Sequence, residues 1–175
     1  FYTSSPKGIR VDLNRPFGQV LDDGWGYVDT LMGIEEIQGS NYADSVIGNE
    51  LDNSFRGGKG ADTFDGGGGS DEASFGQGNI LPDEIGVVAD LGASNSTLRT
   101  AAVTAIKPTL TGGYTGWARD NWGDIDVFRS VEQLEGSMHA DTLIGSDGDN
   151  AIDGRNGADV LDGAGGSDWA EFNNA

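Results

Sequence analysis

Without a single cysteine, the 175-residue chain can form neither disulfide staples nor thiolate metal sites. Its one histidine, His139, leaves little for imidazole ligation or for general acid–base work. Only 10 lysines and arginines stand against 29 acids, and the formal charge of −19 argues against nucleic acid or an anionic membrane as a partner. No apolar run is long enough to span a bilayer, and no cleavable signal peptide is evident at Phe1. Large apolar residues are also few, a composition that ordinarily leaves a chain disordered.

What is present is glycine, 30 residues of it, in register with acids. From Gly39 to Phe75 the chain reads in nines as GSNYADSVI, GNELDNSFR, GGKGADTFD and GGGGSDEAS. Each unit opens on glycine and carries Asp or Asn at its sixth place: Asp44, Asn53, Asp62 and Asp71. The pattern returns 97 residues later, from Gly136 to Phe172, with Asp141, Asn150, Asp159 and Asp168 at the sixth places. A fixed period means stacked repeats. The duplication predicts two tandem modules, 1–75 and 76–175, the second with an insertion around 92–119.

Glycine permits the positive φ of a tight turn, and the last residues of each unit suffice for a very short strand. Two units then make one flattened coil, so that unit n stacks on unit n+2. Stacked strands lie about 4.8 Å apart, which would hold Asp44 and Asp62 facing each other on one edge, as it would Asp141 and Asp159. The same step gives a second column of Glu35, Asn53 and Asp71, repeated as Glu132, Asn150 and Asp168. Asp29 and Asp126, fifteen residues before Asp44 and Asp141, fit a shortened first coil. Carboxylates this close cannot all stay ionised without a counter-charge. Calcium, which takes six to eight oxygens at about 2.3–2.6 Å, could sit between coils and fill its shell with turn carbonyls. The plain alternative is that the acids are solvated turn residues, but generic turns do not repeat glycine and acid in register four times, twice.

The pattern GGxGxDxUx, closest in GGKGADTFD and GRNGADVLD, resembles the calcium-binding repeat of RTX (hemolysin-type) proteins. The resemblance covers the eight nonapeptides and, more loosely, the lead-ins GWGYVDTLMGIEEIQGS and NWGDIDVFRSVEQLEGS. It implies an all-β, right-handed parallel β-roll, folding driven by calcium, and export by a type I secretion system. About six ions would offset roughly twelve of the negative charges. The chain departs from the pattern at Asn53 and Asn150, and at GSNYAD and GSMHAD, which lack the inner glycines; sites using those turns are expected to be weaker.

The eighth places (Val46, Phe55, Phe64, Ala73; Leu143, Ile152, Leu161, Ala170) face inward on this reading, and metal must supply much of the folding free energy. IRVDL and VVADL alternate as half-buried strands, with Ile9, Val11 and Leu13 matched by Val87, Ala89 and Leu91. Trp25 and Trp122 are expected to cap a first coil. GQGNILPDEIG reads as a linker. In the insertion, Leu98, Ala101, Ala102, Ala105 and Ile106 have helical spacing, a strand or hairpin stays open, and Pro108 stops either. His139 is read as a turn residue, and DGDNAID is no EF-hand, since Ile152 stands where that loop needs glycine.

These readings favour a non-enzymatic, calcium-dependent structural module of a secreted or cell-surface bacterial protein, of adhesin or surface-layer type. One alternative is a secretion and folding module appended to an extracellular enzyme. Another is a carbohydrate-binding surface built on Trp25, Tyr27, Tyr114, Trp117 and Trp122. The register of Phe1, Phe75 and Phe172 further suggests a cut from a longer tandem array, stabilised by stacking neighbours.

Overall fold

A computed structural model of the chain describes residues 2–76, 85–94, 96, 98 and 101–172. Most of the expected linker lies outside the described residues. The last three-residue run of each nonapeptide is a strand: β1 (Arg10–Asp12), β2 (Val20–Asp22) and β3 (Glu36–Gln38) lead in, and β4 (Ser45–Ile47), β5 (Ser54–Arg56), β6 (Thr63–Asp65) and β7 (Glu72–Ser74) belong to the first four units. Then follow β8 (Val88–Asp90), the short helix α1 (Ala101–Ile106), β9 (Gly116–Arg119), β10 (Ile125–Arg129) and β11 (Gln133–Glu135). The second four units supply β12 (Thr142–Ile144), β13 (Ala151–Asp153), β14 (Val160–Asp162) and β15 (Trp169–Glu171).

Successive repeat strands fall alternately in two sheets. One is nine-stranded, ordered β14-β12-β8-β9-β10-β6-β4-β1-β2, and the other six-stranded, ordered β15-β13-β11-β7-β5-β3. Neighbouring repeat strands pair in parallel at a step of eighteen, Val46 beside Phe64 and Phe55 beside Ala73. The fold is therefore all-β with parallel sheets, consistent with a β-roll. Both sheets run through both blocks, because β6 pairs in parallel with β10 and β7 with β11.

With three residues per strand, only the middle one can point inward. Val46, Phe55, Phe64, Ala73, Leu134, Leu143 and Ile152 are buried on this line, and the rings of Phe55 and Phe64 lie 5.3 Å apart across the two sheets. Leu161 is partly buried, whereas Ala170 is exposed. Ile9, Val11, Val87, Ala89 and Leu91 are buried as the alternation predicts.

The lead-in of each block departs from a simple coil. β1 pairs in parallel with β4 but antiparallel with β2, and β8 likewise pairs in parallel with β12 and antiparallel with β9. β9 in turn pairs antiparallel with β10, as Val20 does with Asp29 in a single bridge. A hairpin-like insertion thus stands between Asp29 and Asp44, and another between Asp126 and Asp141, in place of the expected shortened coil. The insertion after Leu91 adopts the helical alternative, and a second apolar cluster forms there from Ala93, Val103, Trp117 and Ile144. Trp25 does not cap the roll. Asp23 Oδ1 accepts the N–H groups of Trp25 and Tyr27, and the tight turn this makes leaves the Trp25 side chain exposed.

Among the described residues, the non-glycine residues with positive φ are Ser130, Arg155 and Ala164. Each stands 97 residues after a glycine that also has positive φ, namely Gly33, Gly58 and Gly67. The left-handed region costs a residue with a Cβ roughly 1–2 kcal/mol, so the second block carries backbone strain that the first avoids. Ala164→Gly should therefore be neutral to stabilising by up to about 1 kcal/mol, since glycine also gains freedom in the unfolded chain. Gly67→Ala should cost more than about 2 kcal/mol, because its new Cβ would also overlap the carbonyl of Asn49. Thermal unfolding in saturating calcium measures both, and equal midpoints for the two variants would refute the assignment.

Candidate metal centre

The sixth-place carboxylate does two things in the third and fourth units of each block. Its Oδ1 accepts the backbone N–H of the sixth residue one coil earlier: Asp44 N–H to Asp62 at 2.8 Å, Asn53 N–H to Asp71 at 2.8 Å, Asp141 N–H to Asp159 at 2.9 Å and Asn150 N–H to Asp168 at 3.0 Å. Its Oδ2 folds back over the glycine that opens the same unit. A Cβ on Gly57, Gly66, Gly154 or Gly163 would overlap the Oδ2 of Asp62, Asp71, Asp159 or Asp168. The spacing of glycine at place one and acid at place six follows from that contact.

What becomes of Oδ2 depends on the second residue. In the opening unit of each block it is serine, and Ser40 N–H donates to Asp44 Oδ2 at 2.7 Å while Ser40 Oγ donates to Oδ1 at 2.8 Å. Ser137 treats Asp141 in the same way. Asn53 and Asn150 turn their Oδ1 to the N–H of Asn49 and Ser146, both at 2.7 Å. The acceptor oxygens turned to these N–H groups are satisfied by the protein, although the Asn53 side-chain Nδ2 is buried without a partner. In the third and fourth units the second residue has positive φ, at Gly58, Gly67, Arg155 and Ala164. Its N–H then points elsewhere, from Arg155 to Asp153 Oδ1 and from Ala164 to Asp162 Oδ1. The Oδ2 atoms of Asp62 and Asp71 are left buried without a hydrogen-bond partner.

Burial, and next the neighbouring Asp126, push the Asp62 carboxyl up to about 10. Burial raises Asp71 to about 6, with Glu132 adding to the effect, and it lifts Asp126 well above the usual carboxylate range. Asp44 and Asp141 are raised by burial too, against the pull of their N–H and hydroxyl donors. Such groups need either a proton or a cation.

Calcium suits both columns. The donors are hard oxygens, the orphaned carboxylate atoms lack only a cation, and turn carbonyls such as Ser40 O and Asn49 O crowd the positive-φ glycines Gly58 and Gly67. Among the described residues no three carboxylate or imidazole side chains converge as a metal cage. Carbonyl oxygens would therefore complete any shell.

The remaining sequence-predicted ligands divide by place. Asp126 lies at the junction of the blocks, where its Oδ1 accepts Asp62 N–H at 2.8 Å, and Glu132 accepts Asp71 N–H at 3.0 Å. Asp126 thus continues the Asp44–Asp62 column instead of starting the Asp141 one. The positions before Asp44 and Asp141 are taken by Ile9 and Val87, whose N–H groups bond those carboxylates. Asp29 is exposed and Glu35 half-buried, at the far end of the first block. Asp159 is half-buried and Asp168 exposed at the opposite end.

Sequence reasoning missed Asp120 and Asp124. Asp120 Oδ1 accepts the N–H groups of Trp122 and Asp124, while its buried Oδ2 has no partner and burial raises its carboxyl to about 6. Asp124 accepts Gly60 N–H at 2.9 Å, joining this turn to the third unit. The signal was available in the acids of DNWGDID, since the equivalent DDGWGYVD has Tyr27 where Asp124 stands.

Glycine-opened nonapeptides stacked at a step of eighteen, with an orphaned carboxylate oxygen in each of the two columns, define a cation-binding repeat stack. The family model of the RTX calcium-binding nonapeptide repeat matches four copies, over residues 47–79 and 135–170. The chain carries RTX calcium-binding repeats in both blocks, matching the resemblance drawn from its sequence. No curated protein matches the chain.

Asp62→Asn should raise the calcium midpoint of folding by roughly tenfold, equivalent to about 1.4 kcal/mol. Asp44→Asn, which removes an acceptor already satisfied by Ser40, should weaken the calcium-loaded fold while moving that midpoint far less. Calcium titrations followed by circular dichroism separate the two, and matching shifts would contradict the division of roles. Acid should partly replace calcium. A carboxyl raised on folding contributes stability that is full below the unfolded value, 3.8, and is lost as pH rises toward the folded value, about 6 for Asp71 and about 10 for Asp62. The calcium-free chain is therefore expected to be more structured near pH 4 than at pH 7.5; chelated samples compared at the two values test the sign.

Proposed function

We propose that the chain is a calcium-dependent structural module, a right-handed parallel β-roll of two tandem units. It belongs, on this reading, to a secreted or cell-surface bacterial protein of adhesin or surface-layer type. The observation that carries the proposal is the pair of buried, unpartnered carboxylate oxygens on Asp62 and Asp71. A charge there is tolerable only beside a cation. An exterior rich in calcium would then switch the chain from repelling to stacked, which is the behaviour wanted of a protein folding after export. RTX repeats are typical of secreted bacterial proteins, and no helix of the described residues is long and apolar enough to cross a membrane.

The acids are committed to the turns and the one histidine sits in a turn, so the module is proposed to have no catalysis of its own. The same features suit a module that assists export of an attached extracellular enzyme, and the arguments for calcium are unchanged. A glycan platform on the five aromatic residues is disfavoured. Trp117 is wholly buried, and the Lys59 ammonium lies 5.7 Å from the centre of the Trp122 ring.

Calcium titration of the chelated chain at neutral pH, followed by circular dichroism and NMR dispersion, tests the proposal. The expected result is a cooperative transition with calcium and a much weaker response to magnesium, which demands octahedral geometry and dehydrates reluctantly. An unchanged spectrum on adding calcium, or equal midpoints for the two ions, would sink it.

A further inference from the structure

Outside every nonapeptide, the hairpin of β9 and β10 carries a carboxylate that no repeat explains. The two strands pair antiparallel, with Ala118 beside Asp126 and Gly116 beside Phe128. Residues directly opposite each other in such a pair share a face, and side chains alternate along each strand. Ala118 and Phe128 are buried in the main core, so theirs is the inward face, and Asp120 and Asp126 fall on it as well. Asp120 is wholly buried and Asp126 is 3% exposed.

The hairpin turn uses only half of the Asp120 side chain. Oδ1 accepts the N–H groups of Trp122 and Asp124 at 3.0 and 2.7 Å, while the Asp120 N–H closes the hairpin on the Asp124 carbonyl at 3.0 Å. A neutral asparagine would serve those bonds as well. What asparagine lacks is the second carboxylate oxygen, and in Asp120 that atom is buried without a donor. No side-chain cation of the protein answers it: among the described residues, no lysine or arginine forms an ion pair with Asp120 or Asp126. Asp126 commits Oδ1 to the Asp62 N–H at 2.8 Å, which leaves its Oδ2 for a ligand. Burial raises the Asp126 carboxyl most, and of the neighbouring charges that add to the rise Asp120 comes first. The spacing suits one cation between the two. Diagonal neighbours across an antiparallel pair lie about 7–8 Å apart, somewhat less at Cβ. Two carboxylates that each reach a shared calcium at about 2.3–2.6 Å span that gap.

We propose that Asp120 and Asp126 hold a calcium ion of their own in the β9–β10 hairpin, Asp120 through Oδ2, with backbone carbonyls and water completing the shell. Resting on the calcium-dependent fold proposed above, it adds to that fold a site that no nonapeptide supplies. The place of the ion gives it a task. Asp124 takes the Gly60 N–H at 2.9 Å and Asp126 the Asp62 N–H, so the acceptors on either side of the site hold the third unit of the first block. Two buried carboxylates this close repel unless a cation lies between them. Filling the site therefore fastens the second block on the first, and the metal joins the blocks besides stacking the coils within them.

A crystal structure of the calcium-loaded chain, with the ions located by their anomalous scattering, tests this on the unaltered protein. The expected result is an ion within about 2.3–2.6 Å of both Asp120 Oδ2 and an Asp126 oxygen. Native mass spectrometry in calcium supplies a count. Asp120→Asn, which keeps the acceptor of the turn, is expected to bind one ion fewer than wild type, whereas Glu36→Gln, which removes a charge from an exposed place on β3, keeps the full number. Should Asp120→Asn fail to fold, the crystallographic result decides alone. Ions confined to the nonapeptide turns, or an unchanged count in a folded Asp120→Asn, overturn this proposal and leave the calcium-dependent fold standing. A chain that calcium does not fold, by circular dichroism on the same samples, overturns that reading and this one with it.

Discussion

The structure depends on one carboxylate placed between two coils. Its Oδ1 ties the turn to the backbone of the coil before it, and its Oδ2 lies over the glycine that opens its own unit. The first contact sets the spacing of the stack. The second leaves an oxygen in a buried place where ionisation is unfavourable. A polar group so placed must find a donor, a proton or a metal, and the sequence chooses among these at a single residue. Serine at the second place donates its N–H and closes the turn on itself, whereas a second residue with positive φ withholds that N–H and keeps the oxygen available.

That choice orders the molecule along its length. Asp44 and Asp141 open their blocks as self-satisfied turns next to the hairpin-like lead-ins, where a stack has to begin without a preceding repeat coil to lean on. Asp62 and Asp71 lie deepest, between the opening turns and the second block, and they carry the orphaned atoms. Their burial comes from the docking of β10 and β11, which brings Asp126 and Glu132 beside them. Asp159 and Asp168 have the same sequence surroundings but no following coil, and they are correspondingly more exposed. The electrostatic demand for a cation is thus created by stacking, not by the nonapeptide alone.

Much of this was legible in the residues. The period gave the strands, the eighth places gave the core, and the resemblance of GGKGADTFD gave the ion, because each rests on a local rule that nine residues can carry. The failures share a cause. The fifteen residues between Asp126 and Asp141 suggest a short coil, but in the sheet β8 and β9 stand between β10 and β12, and pairing across 64 residues from Asp62 is not written in any local spacing. Trp25 suggests a cap because solenoid ends need covering, yet Asp23 holds that turn through two N–H groups and the Trp25 side chain is left exposed. Asp120 went unread because it lies outside the nonapeptides, and its burial comes from packing at the junction.

The two blocks also differ in how they hold the same turns. In the first, Gly58 and Gly67 meet the positive φ without strain, and their missing Cβ atoms admit the carbonyls of Ser40 and Asn49. In the second, Arg155 and Ala164 adopt the same conformation against their preference. Arg155 has a reason to be there, since its guanidinium lies 3.4 Å from Glu135, a carboxylate that also faces Arg56 across the six-stranded sheet. Ala164 has no such partner to offer. A strained residue persists when its surroundings over-determine it, and here the surroundings are the stack itself: once the N–H of the second residue has turned to Asp153 or Asp162, the sixth-place oxygen is free for a cation. Strain in the backbone and availability of the oxygen are then the same structural event, which explains why the turn geometry survives the loss of glycine.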